Sequence, residues 1–168
     1  MTPTPTPAPA NPGREHHRGG AHVTKSTLAT RQAALVAALV AGAPVPPGFD
    51  ERLVGAAERS LRRKRAGEVA AAWPHLAAAL GDRWTDRFAR WARGRPSQGA
   101  LRDGWDLARE LAFLGELPPL GRTELAVREV TARYDGRRAP RPRRWPAVRV
   151  APGGVVVGVL GRAYPLGG

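Results

Sequence analysis

The fold is decided by residues 49–114, which read FDERLVGAAERSLRRKRAGEVAAAWPHLAAALGDRWTDRFARWARGRPSQGALRDGWDLARELAFL. Apolar side chains recur in this stretch at helical spacing, and Gly and Pro interrupt them at short intervals, which predicts a series of short amphipathic helices. Four of the five tryptophans lie here, at positions 73, 84, 91 and 105. We therefore expect the stretch to hold the core of a mainly α-helical domain.

Capping residues and periodicity predict the first two helices. Thr24 or Ser26 would cap a helix that ends near Gly42, and Asp50 would cap the next one. The stripes expected to face the core are Leu28, Leu35 and Leu39, widened by Val36 and Val40, in the first helix and Leu53, Ala57 and Leu61 in the second. Arginines crowd the later turns of the second helix, where a solvated face is the simplest interpretation.

The pair Trp73-Pro74 should end the second helix. Proline lacks an amide proton and disfavours α geometry in the residue before it. Pro74 then suits the first position of a short helix that Gly81 would close.

An aromatic face is predicted in the next helix, over residues 83–93, with Asp82 as its cap and Gly94 as its end. Its members are spaced by four and three residues, namely Trp84, Phe88 and Trp91. A face of this kind is more typical of a core than of a platform on which nucleobases stack.

Two acids follow, Asp103 and Asp106, at the start of a helix that would continue to Leu114. They could form an acid pair for catalysis, but negative charge at a helix N-terminus is already explained by capping and the helix dipole. We favour capping. A last helix is expected over 122–134, with Val127, Val130 and Tyr134 on one face and a turn at Asp135-Gly136.

The composition changes after Gly136. Residues 137–145 are basic and interrupted by proline, which is typical of a linker, and residues 146–168 predict a β-hairpin or three-stranded ribbon. Residues 1–22 read as a disordered tail rich in Pro, Gly and His, and 23–136 as the helical domain. The expected fold class is mainly α, a bundle of about five to six short helices with a small C-terminal ribbon.

The charge and the missing cysteines bound the function. The 168 residues carry a net charge of +13 and no cysteine, so disulfides and thiolate metal sites are excluded. A basic surface attracts polyanions, although heavy Arg and Ala usage also arises from genome base composition. We recognise no secretory signal and no spanning stretch, and therefore expect a cytoplasmic protein without a membrane partner.

Catalytic motifs are missing from the sequence. It has no glycine-rich phosphate loop, no nucleophile elbow and no histidine pair on a helix. His75 is isolated, and the other histidines lie in the expected tail. We therefore predict no catalytic residues, no metal ligands and no cofactor.

Three segments resemble a known family: RRKRAGEVAAAWP at 62–74, the aromatic helix from Trp84 to Trp91, and LRDGWD at 101–106. Through them the chain is similar to the actinobacterial domain that is fused to, or encoded beside, multinuclear non-haem iron-dependent oxidative (MNIO) enzymes. It is more distantly similar to the N-terminal domain family of HvfC and BufC, which bears a DNA-binding name. The resemblance covers about residues 26–166.

The resemblance implies a role in the biosynthesis of ribosomally made peptides. In such systems the iron enzyme oxidises residues of a precursor peptide and holds the iron itself, and the companion protein helps to recognise the precursor. We therefore expect a non-catalytic accessory protein that forms a heterodimer with an MNIO enzyme. No catalytic residue is carried over by the resemblance.

Candidate binding residues follow from this expectation. Those expected to dock the enzyme lie on the helical segments: Arg62, Arg63, Arg65, Trp73, Arg102, Asp103 and Trp105. Those expected to bind the precursor lie on or near the ribbon: Val155, Val157, Val159, Arg149, Arg141, Arg143 and Arg144. The peptide would add as a strand to an open ribbon edge, and the arginines would attract its acidic residues.

The alternative function is that of a DNA-binding transcriptional regulator which uses its arginine-rich surface. It predicts an affinity that falls steeply with salt and a sequence preference above the non-specific background. The sequence contains no clear helix-turn-helix with a recognisable reading helix. A purely structural interaction domain is a third possibility.

Overall fold

The computed structural model describes residues 27–167. Within that range the chain forms six α-helices and five short strands. The helices are α1 (Leu28–Ala41), α2 (Glu51–Ala72), α3 (Pro74–Leu80), α4 (Trp84–Trp91), α5 (Ala100–Phe113) and α6 (Pro119–Thr131). The strands are β1 (Ala132–Arg133), β2 (Arg141–Pro142), β3 (Ala147–Ala151), β4 (Gly154–Val159) and β5 (Arg162–Gly167). The predicted mainly α fold class with a C-terminal ribbon is therefore confirmed.

The first two helices begin at residues that cap them. The Thr27 side chain accepts a hydrogen bond from the Thr30 amide, and Asp50 accepts from the amides of Arg52 and Leu53. Asp50 is thus the cap that the sequence predicts. The other predicted caps, Thr24 and Ser26, lie outside the described residues, as does the predicted tail at 1–22.

The predicted apolar stripes of α1 and α2 are partly wrong. Leu53 is 70% exposed and Leu61 44% exposed, whereas Val54, Ala66 and Val69 are buried. In α1, Leu28, Val36 and Val40 are exposed, and Ala38 is buried. The core side of α2 is therefore shifted by about one residue from the predicted stripe. The Arg65 side chain lies on this side, where its charge is paired with Asp103.

The predicted break at Trp73-Pro74 is confirmed. Helix α2 ends at Ala72, and Trp73 has φ −129° and ψ 64°, outside the helical region. Pro74 then occupies the first turn of α3, and Gly81, with φ 52°, follows its last residue. The proline therefore redirects the chain without losing an internal helix hydrogen bond.

Two other helix starts differ from the prediction. A single 3-10 turn over Gly81–Arg83 leads into α4, and no side chain caps either element, so the predicted cap at Asp82 is wrong. Helix α5 begins at Ala100, ahead of Asp103. The preceding loop thus ends at Gly99, and the Asp103 carboxylate accepts from the Ser97 hydroxyl and the Gln98 amide of that loop.

The last helix also starts earlier than predicted. Pro119 occupies its first turn, and the chain leaves helical geometry at Ala132 to form β1. Tyr134 thus lies beyond the helix but is buried in the main core, close to Trp105. The prediction that Val130 faces the core is confirmed.

The strands form two antiparallel sheets. Strand β2, within the predicted linker at 137–145, pairs with β1, and the C-terminal ribbon has the order β3-β4-β5. In the ribbon, Val148, Val157 and Tyr164 form one cross-strand row, and Val150, Val155 and Leu166 form another. The opposite face carries Val156 and Gly158, which pack on α6.

No helix among residues 27–167 is both long enough and apolar enough to cross a lipid bilayer.

Candidate functional surfaces

A buried ion pair joins three parts of the helical body, residues 28–131. The Arg65 guanidinium donates to the Asp103 carboxylate at 2.8 Å and to the Arg95 carbonyl at 2.7 Å. Asp103 also accepts from the Ser97 hydroxyl at 2.8 Å and from the Gln98 amide at 3.0 Å. These contacts tie α2, the 95–99 loop and α5 together. The predicted capping role of Asp103 is wrong, because α5 has already begun at Ala100 and Asp103 accepts from loop groups rather than from an amide of α5. Asp106 does not cap the helix either.

The Trp73 ring lies against the backbone of α5. A Cβ on residue 104 would lie 2.2 Å from its Cδ1 atom, so only glycine fits at Gly104. The indole N–H of Trp73 donates to the Leu101 carbonyl at 3.0 Å, and its ring meets Trp105 edge-on with 5.9 Å between centroids. On its other side, the Arg128 guanidinium lies 4.2 Å from the ring centroid.

The side chains of Trp73, Asp103 and Trp105 are therefore in the core. All three are at most 1% exposed, so a partner cannot contact them without opening the helical body. Arg65 is occupied in the ion pair, and Arg102 donates to the Arg137 carbonyl at 2.5 Å. Of the residues predicted to dock the enzyme, Arg62 and Arg63 remain candidates for surface contact. Arg62 pairs with Glu58, and Arg63 is exposed.

Two glutamates of α6 have roles that the sequence did not reveal. Glu124 is buried and accepts from the Leu76 amide at 2.7 Å, where it caps the N-terminus of α3. Glu129 bridges the helical body and the ribbon, because it accepts from Arg109 at 2.9 Å and from Arg149 at 3.0 Å. Burial acts to raise the pKa of Glu129, but the hydrogen bonds from Arg149 and Arg109 hold that pKa below its ordinary value.

The arginines predicted to bind a peptide are not equally free. Arg149 is held by Glu129 and also donates to the Val148 carbonyl at 3.0 Å. Arg143 donates to the Glu129 carbonyl at 2.8 Å. Arg141 and Arg144 are exposed. Only the last two are presented to solvent without a partner among the described residues.

Asp106 does not share its surroundings with Asp103. Its carboxylate accepts from the Tyr134 hydroxyl at 3.0 Å, on the side of α5 that faces the chain after α6. Burial raises the pKa of Asp106, although the Tyr134 hydrogen bond and the charges of Arg109 and Arg102 oppose that rise. The two acids bind different partners, and they do not bind one common group. Among residues 27–167 no three His, Asp or Glu side chains are grouped to hold a metal ion.

The outer ribbon face is an apolar surface without a covering element in the described range. It consists of the two cross-strand rows Val148–Val157–Tyr164 and Val150–Val155–Leu166. Val150 is 84% exposed and Leu166 60% exposed. The neighbouring Trp145 is 82% exposed. The predicted placement of Val155, Val157 and Val159 on one side of a strand agrees with this register.

The two edges of the ribbon differ. Because β4 is central, its backbone is paired on both sides, and a peptide strand can add only to β3 or β5. The two-residue turn between β4 and β5 makes Val159 and Arg162 a hydrogen-bonded pair. Hydrogen-bonded and non-hydrogen-bonded pairs then alternate along the strands, so Pro165 and Val156 form a non-hydrogen-bonded pair. The nitrogen of Pro165 therefore faces the outer edge of β5. Strand β5 is thus blunted, and β3 is the better edge.

An arginine-rich groove lies between α2 and α4. We call it the arginine groove; its basic members are Arg59, Arg62, Arg63, Arg83, Arg90 and Arg93. Asp82 and Asp86 also line it, and its volume is about 480 Å³. The sequence signal was present in the spacing of Arg59 and Arg63 and of Arg83 and Arg90, but nothing in the sequence states that the two helices face one another.

Comparison with known proteins assigns the helical body to a family. The family model of the SCO6045-like C-terminal domain matches residues 29–113, which is half of the chain and spans α1 to α5. A UPF0276 protein of Streptomyces avermitilis is 36% identical over 147 residues, which are 87% of this chain and 27% of that protein. The chain thus spans about a quarter of the length of this curated relative. No solved structure is significantly similar.

These matches support membership of the SCO6045-like C-terminal domain family and similarity to a UPF0276 protein, and the predicted resemblance to an MNIO-associated domain stays a prediction. They name neither an MNIO enzyme nor the HvfC and BufC domains. The match to the UPF0276 protein is too long to end with α5, so it takes in α6 as well. The chain belongs to the SCO6045-like C-terminal domain family.

Proposed function

We propose that this chain is a non-catalytic accessory protein that binds an MNIO iron enzyme and helps to recognise its ribosomally made precursor peptide. The observation that carries the proposal is the outer ribbon face, an exposed apolar surface next to the open edge of β3. Apolar patches of this kind mark interaction sites. An extended peptide added to β3 would gain backbone hydrogen bonds and would cover the valines beside it.

The length of the relative supports the proposal that this chain associates with a larger protein. In the UPF0276 protein of Streptomyces avermitilis, the region similar to this chain makes up only 27% of the length. The helical body would dock the enzyme, through exposed residues such as Arg63.

The β3 edge can be tested with two substitutions at one position. Register places the Val150 amide outward, because Val150 opposite Val155 is a non-hydrogen-bonded pair. Val150→Pro removes this donor, whereas Val150→Ala keeps it and shortens the side chain. Binding of the precursor peptide encoded beside an MNIO enzyme in the same genome would be measured by calorimetry, together with capture of that enzyme.

Under the proposal, Val150→Pro weakens precursor binding by about tenfold or more, since a lost edge hydrogen bond also displaces its neighbours, and Val150→Ala weakens it by less than about threefold. The exposed Trp145 gives a fluorescence readout of the same event. Failure of the unchanged chain to capture either the enzyme or the precursor would reject the proposal.

The DNA-binding alternative is favoured by the net charge of +13 and by the arginine groove. A regulator would bind one duplex sequence more tightly than an unrelated duplex at physiological salt. Electrophoretic mobility measurements with genomic fragments from the neighbourhood of the gene test this. Equal affinity for all fragments would reduce the alternative to charge attraction.

A further inference from the structure

The arginine groove concentrates positive charge that the described residues do not neutralise. Arg62 pairs with Glu58, but the other five arginines of the groove form no ion pair within residues 27–167. Only Asp82 and Asp86 oppose them along its walls. Like charges held this close repel one another, and an anion in the groove would relieve the repulsion.

The contrast with the rest of the surface makes the groove a distinct feature. Arg87 pairs with Glu116 and Arg95 with Glu110, so the other side of α4 is balanced by acids from α5 and the loop after it. Arg83, Arg90 and Arg93 also border the clefts that contain Glu110 or Glu116, but these acids pair with Arg95 and Arg87 and not with them. Because Arg59 and Arg63 come from one wall and Arg83, Arg90 and Arg93 from the other, a ligand between them would be held from both sides.

The chemistry of the lining favours carboxylates over a nucleic acid backbone. Asp82 and Asp86 would repel a phosphodiester chain, which carries a charge at every nucleotide. A polypeptide can place neutral residues opposite these two acids and Asp or Glu opposite the arginines, which bind carboxylates with paired hydrogen bonds. Thr85 and Ala89 complete the lining, so the groove offers no aromatic ring on which a base could stack.

This chain cannot supply such an acidic segment itself. Its residues 1–26 contain a single acid, Glu15, and its only adjacent acids are Asp50 and Glu51. Asp50 is already used as the cap of α2. A second copy would bring the same excess of positive charge, +13 per chain. The ligand therefore lies outside these 168 residues.

We propose that the arginine groove binds an acidic segment of a partner protein, in which several Asp or Glu residues lie close together. The inference rests on the part of the proposed function that assigns docking to the helical body, and it specifies the chemistry of that contact. It does not depend on the ribbon, because every lining residue of the groove belongs to α2, α4 or the 3-10 turn and loop that flank α4.

The test compares two triple variants of the full chain that lose the same charge. The groove variant carries Arg59→Gln, Arg63→Gln and Arg90→Gln, all exposed and free of ion pairs in the described range. The control variant carries Arg122→Gln, Arg133→Gln and Arg138→Gln, which are also exposed and lie outside both the groove and the predicted peptide-binding set. Fluorescence anisotropy would follow a labelled glutamate-rich peptide, its glutamine counterpart and a labelled oligonucleotide, at physiological salt.

We expect the glutamate peptide to bind and the glutamine peptide not to bind. The groove variant should lose about tenfold or more in affinity, and the control variant less than about threefold, because screening limits charges outside the contact. Equal losses in both variants would overturn the inference in favour of general charge attraction. Groove-dependent binding of the oligonucleotide that matches or exceeds peptide binding would overturn it in favour of a nucleic acid interface.

Capture of the MNIO enzyme separates the two proposals. If the glutamate peptide fails to bind but the enzyme is captured, the groove inference is wrong and the proposed function stands. If the peptide binds through the groove and no enzyme is captured, the groove remains a site for acidic segments and the proposed function is wrong. Circular dichroism of both triple variants controls for folding.

Discussion

The helical body and the ribbon treat apolar side chains in opposite ways. Trp73 and Trp105 are at most 1% exposed, and the Trp73 indole N–H is paired with the Leu101 carbonyl, whereas the buried Trp105 indole nitrogen has no partner among the described residues. In the ribbon one face packs on α6, and the other presents Val150 and Leu166 to solvent. The helical body therefore buries these large apolar side chains in its own core, whereas the ribbon leaves the apolar side chains of its outer face exposed. That difference is the reason why we propose the ribbon, rather than the tryptophans, as the surface for a precursor peptide.

The largest effect on the helical body should come from Asp103→Ala. It would leave the buried Arg65 charge without its carboxylate, and such losses cost about 3–5 kcal/mol. Chemical denaturation monitored by circular dichroism would measure the change. Asp82→Ala, at an exposed acid that caps no helix, should change stability by less than about 0.5 kcal/mol. Similar losses from both variants would show that the junction does not hold the body together.

Gly104→Ala should destabilise the body by roughly 3 kcal/mol, the upper part of the range for overpacking. The added methyl would meet the Trp73 ring at 2.2 Å, and neither α5 nor a buried ring can shift freely. Thermal unfolding gives the readout. The matched control is Gly67→Ala in α2, where nothing lies within 4 Å of the new methyl. That variant should gain about 0.5–1 kcal/mol from helix propensity.

Gly158→Ala should separate the two regions. A Cβ at this position would lie 2.3 Å from the Val130 carbonyl oxygen, which is backbone and cannot rotate away. We expect a local cost of about 1–3 kcal/mol that loosens the ribbon from α6 while the helices persist. Hydrogen exchange should rise across residues 147–167 and stay low in α5. Val157→Ala, on the outer face, is the control, and comparable exchange in both variants would contradict the packing described here.

Glu129→Gln removes the charge that links the helical body to the ribbon. We expect it to lower the free energy of unfolding by about 1–2 kcal/mol at neutral pH. The pKa of Glu129 is lowered from 4.5 in the folded protein, so its stabilisation is present above that value and is lost as the pH falls through the folded pKa. The difference between the variant and the unchanged chain should therefore shrink below pH 4.5. The control is Glu68→Gln, at an exposed carboxylate that pairs with Lys64. It should change the free energy of unfolding much less at every pH.

Local chemistry made part of the fold predictable. The break at Trp73-Pro74 and the turn at Gly81 follow from the missing amide of proline and from the freedom of glycine, which do not depend on the rest of the molecule. The strands of the ribbon follow from alternation and turn residues in the same way. The core side of α2 was not predictable in this way. Arg65 lies on that side and pairs with Asp103, which comes 38 residues later in the chain.

The candidate surfaces were predictable to different degrees. The valines of β4 were placed on one side correctly, because strand alternation is a local property. Which tryptophans face solvent depends on packing between helices, so Trp73 and Trp105 were expected at a docking surface although they lie in the core. The arginine groove needs α2 and α4 side by side, and no periodicity within either helix reports that arrangement.

The close approach of the Trp73 ring to Gly104 has a consequence for evolution. The two positions lie 31 residues apart in the chain but share one volume, so substitutions at them are expected to be coupled across relatives. A relative with a side chain at the second position should carry a smaller residue at the first. Aligned sequences of relatives would reveal this pairing, and it would mark which of them share the same junction of α2, α3 and α5.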